Sequence, residues 1–109
     1  SKIILVGQFP ITEMSQVQWG ARRFIPNEIN YSSQYIKKWI TKADELMRDF
    51  SKNHSIEFIS PLDYLCNRQG CQLSADSGKF IPMAYDSLHM TYPGAKFFVE
   101  KSMSASTFR

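Results

Sequence analysis

The chain has 109 residues, of which 43% are hydrophobic and 14% aromatic, with a formal charge of +3. That length supports one small hydrophobic core, so a single domain or a part of one is expected. Basic residues occur in small scattered groups (Arg22-Arg23, Lys37-Lys38, Lys96 with Lys101), which points to solvated surface and not to a nucleic-acid footprint. No apolar run approaches the roughly 20 residues that cross a bilayer, and no signal-peptide layout precedes Ile3. An anchor or export signal would have to lie upstream.

Ile3-Ile4-Leu5-Val6 is continuously apolar and stopped by Gly7, the pattern of a strand buried on both faces. Phe9-Pro10 ends regular structure, and residues 11–30 read as an irregular crossover with a helical turn near 16–24. Trp19 within it is expected to anchor the core or loop. The strongest helix is predicted over 33–52, where Ile36, Trp39, Ile40, Ala43, Leu46, Met47 and Phe50 recur at three- and four-residue spacings and form one buried stripe. Ser32 or Ser33 is the candidate cap, and His54 in the polar exit Asn53-His54-Ser55 reads as a surface or cap residue. Residues 56–59 then supply a second short strand ended by Ser60-Pro61. Strand, helical crossover and strand make a βαβ unit, so an α/β fold with a parallel sheet is expected.

Residues 62–65 suit a short helical turn that Asp63 would cap or brace. In Cys66-Asn67-Arg68-Gln69-Gly70-Cys71 the polar residues and Gly70 permit a tight turn, which makes a local disulfide geometrically reasonable; two inert thiols and metal ligation remain as other readings. A disulfide would favour an oxidising compartment. With two Cys and two His, a zinc site is improbable, and no cofactor is expected. Phe80-Ile81-Pro82-Met83 is a brief extended segment, with Pro82 arguing against a central strand. The last helix is predicted to start after Thr91, its cap, with Pro93 in the first turn, Ala95, Phe98, Val99 and Met103 facing inward, and residues 104–109 frayed. Neither an internal repeat nor a Gly-rich phosphate loop is present.

Asp86-Ser87-Leu88-His89, just ahead of that helix, is the most informative stretch. A carboxylate bonded to one ring nitrogen fixes the imidazole tautomer, so that the other nitrogen can deprotonate a serine hydroxyl. By spacing alone the two residues fit a catalytic dyad, a structural loop hydrogen bond, or a pair with unrelated partners. Placement at the end of a sheet, where open parallel-sheet proteins build their sites, favours the dyad. Ser87 reads as a structural residue of the turn, because direct attack would need it to face His89 from two positions away.

The segment from Tyr85 to Ala95 resembles the final motif block of the SGNH (GDSL-like) hydrolase superfamily. Ile4-Leu5-Val6-Gly7-Gln8-Phe9-Pro10 and the Cys66 to Cys71 loop are similar, more particularly, to the periplasmic SGNH domain fused to membrane-bound acyltransferases that O-acetylate surface polysaccharides. The resemblance implies a partial flavodoxin-like, three-layer α/β/α SGNH fold, with residues 1–109 as the carboxyl-terminal portion of one domain. It also implies Asp86 as the acid member of a Ser-His-Asp triad and His89 as general base. The Gly-Asp-Ser block and the oxyanion-hole Gly and Asn of the family have no match here. The implied partners are therefore the missing amino-terminal half, an upstream membrane acyltransferase domain and a glycan substrate, in a periplasmic or other extracytoplasmic setting. A secreted carbohydrate esterase and a noncatalytic glycan-binding or assembly module are the competing functions; Trp19, Arg22 and Arg23 are candidates to line a glycan site but read first as surface or packing residues.

Overall fold

The computed structural model describes residues 3–10, 16–32, 38–86 and 89–105. In chain order these form β1 (Ile4–Val6), α1 (Gln16–Gly20), β2 (Tyr31–Ser32), α2 (Lys38–Asn53), β3 (Glu57–Ile59), α3 (Pro61–Leu65), β4 (Cys66–Asn67), β5 (Gly70–Gln72) and α4 (Tyr92–Ala105). β1 and β3 pair in parallel, with Leu5 opposite Phe58 and Val6 opposite Ile59. The crossover between them carries α2, as the βαβ pattern predicts. A second, antiparallel sheet in the order β2-β5-β4 is formed by stretches that the sequence pattern left as crossover and cysteine loop.

The helix α2 exists, but its buried face differs from the predicted stripe. Ile40 is fully buried and Ala43 and Met47 partly so, whereas Trp39, Leu46 and Phe50 are 53%, 58% and 50% exposed. Asp44 and Ser51 take the inward positions instead. Burial of a carboxylate is costly unless it is hydrogen-bonded, and Asp44 is: Ser60 Oγ donates to Oδ1 at 2.6 Å and Arg48 Nη2 reaches Oδ2 at 3.3 Å. Arg48 also spans both oxygens of Asp63 at 3.0 Å. That Asp63 hydrogen bond raises the affinity of the guanidinium for its proton, burial opposes it, and Asp44 adds to it. Ser51 Oγ donates to Met47 O. The predicted Ile36 and Ser33 lie outside the described residues, as does the side chain of Ser32.

Ser55, at φ 54°, reverses the chain after α2 in the left-handed conformation common just past helix ends. Ser60 then caps α3, accepting from Leu62 N–H at 3.2 Å, with Pro61 in the first turn. Asp63 thus braces α3 through Arg48 instead of capping it. Gly70, at φ 126°, permits the reversal between β4 and β5 that puts Cys66 opposite Cys71; their sulfurs are bonded.

Ile59, Leu65, Met83 and Phe98 form a buried cluster, with Phe9 and Tyr64 meeting the Phe98 ring edge-on at 6.0 and 6.2 Å. On α4, Phe98 is buried and Ala95 half-buried as expected, but Val99 and Met103 are 47% and 43% exposed. Gly94 and Ser102 hold the close-packed positions in their place. A Cβ at Gly94 would collide with the Met83 backbone, so only glycine lets α4 approach this strand-like segment. The helix continues through Ser104 and Ala105, beyond the predicted fray point.

Candidate active site

The site is built on the segment joining the Met83 region to α4. Thr91 anchors it: Oγ1 donates to Pro82 O at 2.6 Å and accepts from Gly94 N–H at 3.0 Å, so one hydroxyl satisfies a carbonyl of the extended segment before the loop and caps a helix. Ala84 and Met90 form an antiparallel bridge. Tyr85 N–H donates to His89 O at 3.0 Å and closes the intervening loop.

Within that loop both oxygens of Asp86 are used. Oδ1 accepts from the backbone N–H of His89 at 2.7 Å, and Oδ2 lies 2.8 Å from His89 Nδ1. An ionised carboxylate only accepts, so Nδ1 donates to it, and in the neutral form of the ring Nε2 is the nitrogen without a proton. The first bond fixes the loop and the second fixes the ring. Ser87 and Leu88, between them, lie outside the described residues.

Tyr85 contributes a contact that the sequence reading did not assign. Its ring lies nearly parallel to the imidazole, 9° apart with centroids separated by 5.6 Å. The available signal was an aromatic residue immediately before the aspartate, but nothing local dictates that it should cover the histidine. The His89 and Asp86 side chains are 59% and 41% exposed, so the basic nitrogen belongs to an open surface.

The remaining candidates lie elsewhere. The His54 ring stacks on Phe50 at 4.0 Å, with Nδ1 2.8 Å from Phe50 O, as a helix-end residue would. Asp63 is engaged by Arg48. Arg22 and Arg23 are exposed, and the side chain of Trp19 lies outside the described residues. Among the described residues, no cluster of three or more His, Cys, Asp or Glu side chains could hold a metal ion, and no helix is long and apolar enough to cross a membrane.

A parallel βαβ unit followed by a capped helix, with an aspartate and a histidine joined three residues apart at that helix's entrance, defines an α/β domain of the SGNH type. The chain belongs to the family described as SGNH domain (fused to AT3 domains), whose profile matches residues 1–101. Among solved structures it is similar to the periplasmic domain of a lipopolysaccharide acetyltransferase of Salmonella ser. Paratyphi A, with 25% identity and a TM-score of 0.75. That match covers 96% of this chain and 41% of the solved one, so the present chain spans well under half the length of its relative. No curated protein matches.

Proposed function

We propose that residues 1–109 form the histidine- and aspartate-bearing, carboxyl-terminal portion of an extracytoplasmic SGNH domain that transfers an acyl group to a hydroxyl of a bacterial surface glycan. The observation that carries this reading is the two-point grip of Asp86 on His89, which leaves Nε2 available as a base, with no serine hydroxyl bonded to it among the described residues. The serine and the oxyanion donors come from outside these residues. The 41% coverage of the Salmonella domain supports that division. So do the exposed Val6 of β1, the exposed Ile3 just before it and the exposed Trp39, Leu46 and Phe50 of α2, apolar surface that further chain would cover.

In the first half-reaction His89 Nε2 takes the serine proton as the serine oxygen bonds to the acyl carbon; the donor's bond to that carbon breaks and the proton passes to the leaving group. In the second, Nε2 takes the proton of a sugar hydroxyl, whose oxygen displaces the serine, and the serine is reprotonated. Asp86 stays ionised throughout and stabilises the imidazolium. The Cys66 to Cys71 bond suits the oxidising periplasm, and the AT3 domains to which the family is fused would supply the membrane partner.

The test is acyl transfer to polysaccharide by the complete protein against its His89→Ala and Asp86→Ala variants. Both should lose turnover at neutral pH, and residues 1–109 alone should be inactive. Normal turnover in both variants would overturn the assignment.

A further inference from the structure

Beside α4 lies a cavity of about 270 Å3, between the loop at residues 25–30 and the turn at 74–78. Its walls are built before any ligand arrives. The Asn30 carboxamide accepts from Ile25 N–H at 2.8 Å and donates to Ile25 O and Glu28 O at 2.8 and 3.0 Å, which fixes the first loop. The buried Ser74 hydroxyl fixes the second, accepting from Ile81 N–H at 2.9 Å and donating to Asp76 O at 2.7 Å. Asn27 N–H donates to Ser77 O and Leu73 N–H to Asn30 O, so the two walls are tied together.

From this geometry we infer that the cavity is a saccharide subsite for the acceptor glycan; the identity of that ligand rests on the acyl-transfer reading above. The lining mixes acceptors and donors, the carboxylates of Glu28 and Asp76, the Gln72 carboxamide and the Lys101 ammonium, with the Phe97 ring. No single charge dominates, which disfavours a small anion. Hydroxyl groups both give and accept hydrogen bonds, so a neutral polyhydroxylated ring suits these polar groups, while the Phe97 ring already has the Lys101 ammonium 5.6 Å from its centroid. The volume lies just under the roughly 300 Å3 at which small-molecule pockets begin, the scale of a sugar unit or two.

The cavity continues along α4 toward the first turn of that helix, although neither Asp86 nor His89 lines it. A second depression of about 210 Å3 shares Ala75, Asp76 and Phe97 with the first and extends past Lys96 to Pro93. Pro93 stands in the first turn of α4, four positions after His89. From Pro93 to Lys101 the helix rises about 12 Å at 1.5 Å per residue. A short oligosaccharide lying along α4 would therefore be held by units beyond the one that is acylated.

The experiment uses the complete protein and the O-deacylated, lipid-free polysaccharide of its source bacterium. Glu28→Ala and Lys96→Ala alter the two ends of the track at exposed side chains, Lys96 giving up only a 4.0 Å surface pair with Glu100. Each should raise KM for the polysaccharide about 10-fold with kcat nearly unchanged, the effect of losing one hydrogen bond. In a His89→Ala background the same substitutions should weaken equilibrium binding of the polysaccharide to a similar extent. That arm needs no turnover, so it reads the subsite even if the acyl-transfer reading fails. Lys52→Ala, exposed in the last turn of α2 and turned away from the Trp39, Leu46 and Phe50 stripe, should change neither quantity. Unchanged KM and binding in both track variants, absence of polysaccharide binding to the His89→Ala protein, or an equal effect of Lys52→Ala would overturn the proposal.

Discussion

Asp86→Asn tests the site more sharply than truncation, because it preserves shape and removes one acceptor. Asp86 uses both oxygens as acceptors, Oδ1 for the His89 backbone N–H at 2.7 Å and Oδ2 for Nδ1 at 2.8 Å. A carboxamide has one oxygen, so each of its two orientations opposes an NH2 to a donor. With the oxygen toward the backbone, the ring must switch tautomer and Nε2 becomes protonated, useless as a base. With the oxygen toward Nδ1, the tautomer survives but the loop bond is lost. Each forfeited bond costs about 1–3 kcal/mol, and the half-exposed setting favours the lower part of that range. Losing one charge-assisted bond and weakening the other therefore raises the barrier by about 1–3 kcal/mol, or roughly 5- to 150-fold in turnover at 1.36 kcal/mol per decade. The assay is steady-state acyl transfer by the complete protein, with a thermal melt to show that the domain stays folded. A well-folded Asp86→Asn protein that turns over within about threefold of wild type would refute the claim that this carboxylate sets the tautomer.

Other substitutions separate the roles of the neighbouring residues. Tyr85→Ala, which removes the ring stacked on His89, should lower kcat several-fold while Tyr85→Phe retains it; equal losses would assign the effect to the hydroxyl and not to the stack. Thr91→Ala deletes the cap of α4 and the donor to Pro82 O, so urea unfolding of the complete domain should show a loss of about 2 kcal/mol. Gly94→Ala should be at least as damaging by the same measurement, because the added methyl meets Met83 backbone. The paired Cys66→Ser and Cys71→Ser change opens a loop with a sequence separation of 5 and should cost about 2 kcal/mol, less than a disulfide that closes a long loop.

How much of this was legible beforehand depended on whether the cause was local. Ile4-Leu5-Val6 announced itself by continuous apolarity, but the burial on both faces that this predicts does not hold, Val6 being 46% exposed; the strand ending at Ile59 was marked by Ile56, Phe58 and Ile59 before Ser60-Pro61, and the parallel pairing of the two followed from the helix between them. The existence of α2 was equally plain, but not its orientation. Trp39, Ala43, Leu46 and Phe50 lie on one helical stripe and Ile40, Asp44, Met47 and Ser51 on the adjacent one, about 100° round the axis. Periodicity preferred the more apolar residues; the structure buries Asp44 because Ser60, 16 residues away, donates to it. Likewise β2, β4 and β5 are two or three residues long, too short for any alternation to register, and their sheet depends on contacts across the chain.

The dyad was legible for the opposite reason. The hydrogen bonds that orient His89 come from Tyr85, Asp86 and the anchoring of Thr91 on Pro82, a stretch of ten residues whose spacing is itself the geometry. The imidazole can therefore be aimed before a nucleophile arrives. What it is aimed at depends on long-range packing: the exposed apolar residues of β1 and α2 lie on elements that do not contribute to those bonds. Damage to that surface should then impair assembly of the complete domain while leaving the Asp86 to His89 bond intact, whereas damage at Asp86 should leave assembly intact and stop the chemistry. That separation is what the proposed function requires, with His89 held by its own loop and the serine it would serve brought by the rest of the fold.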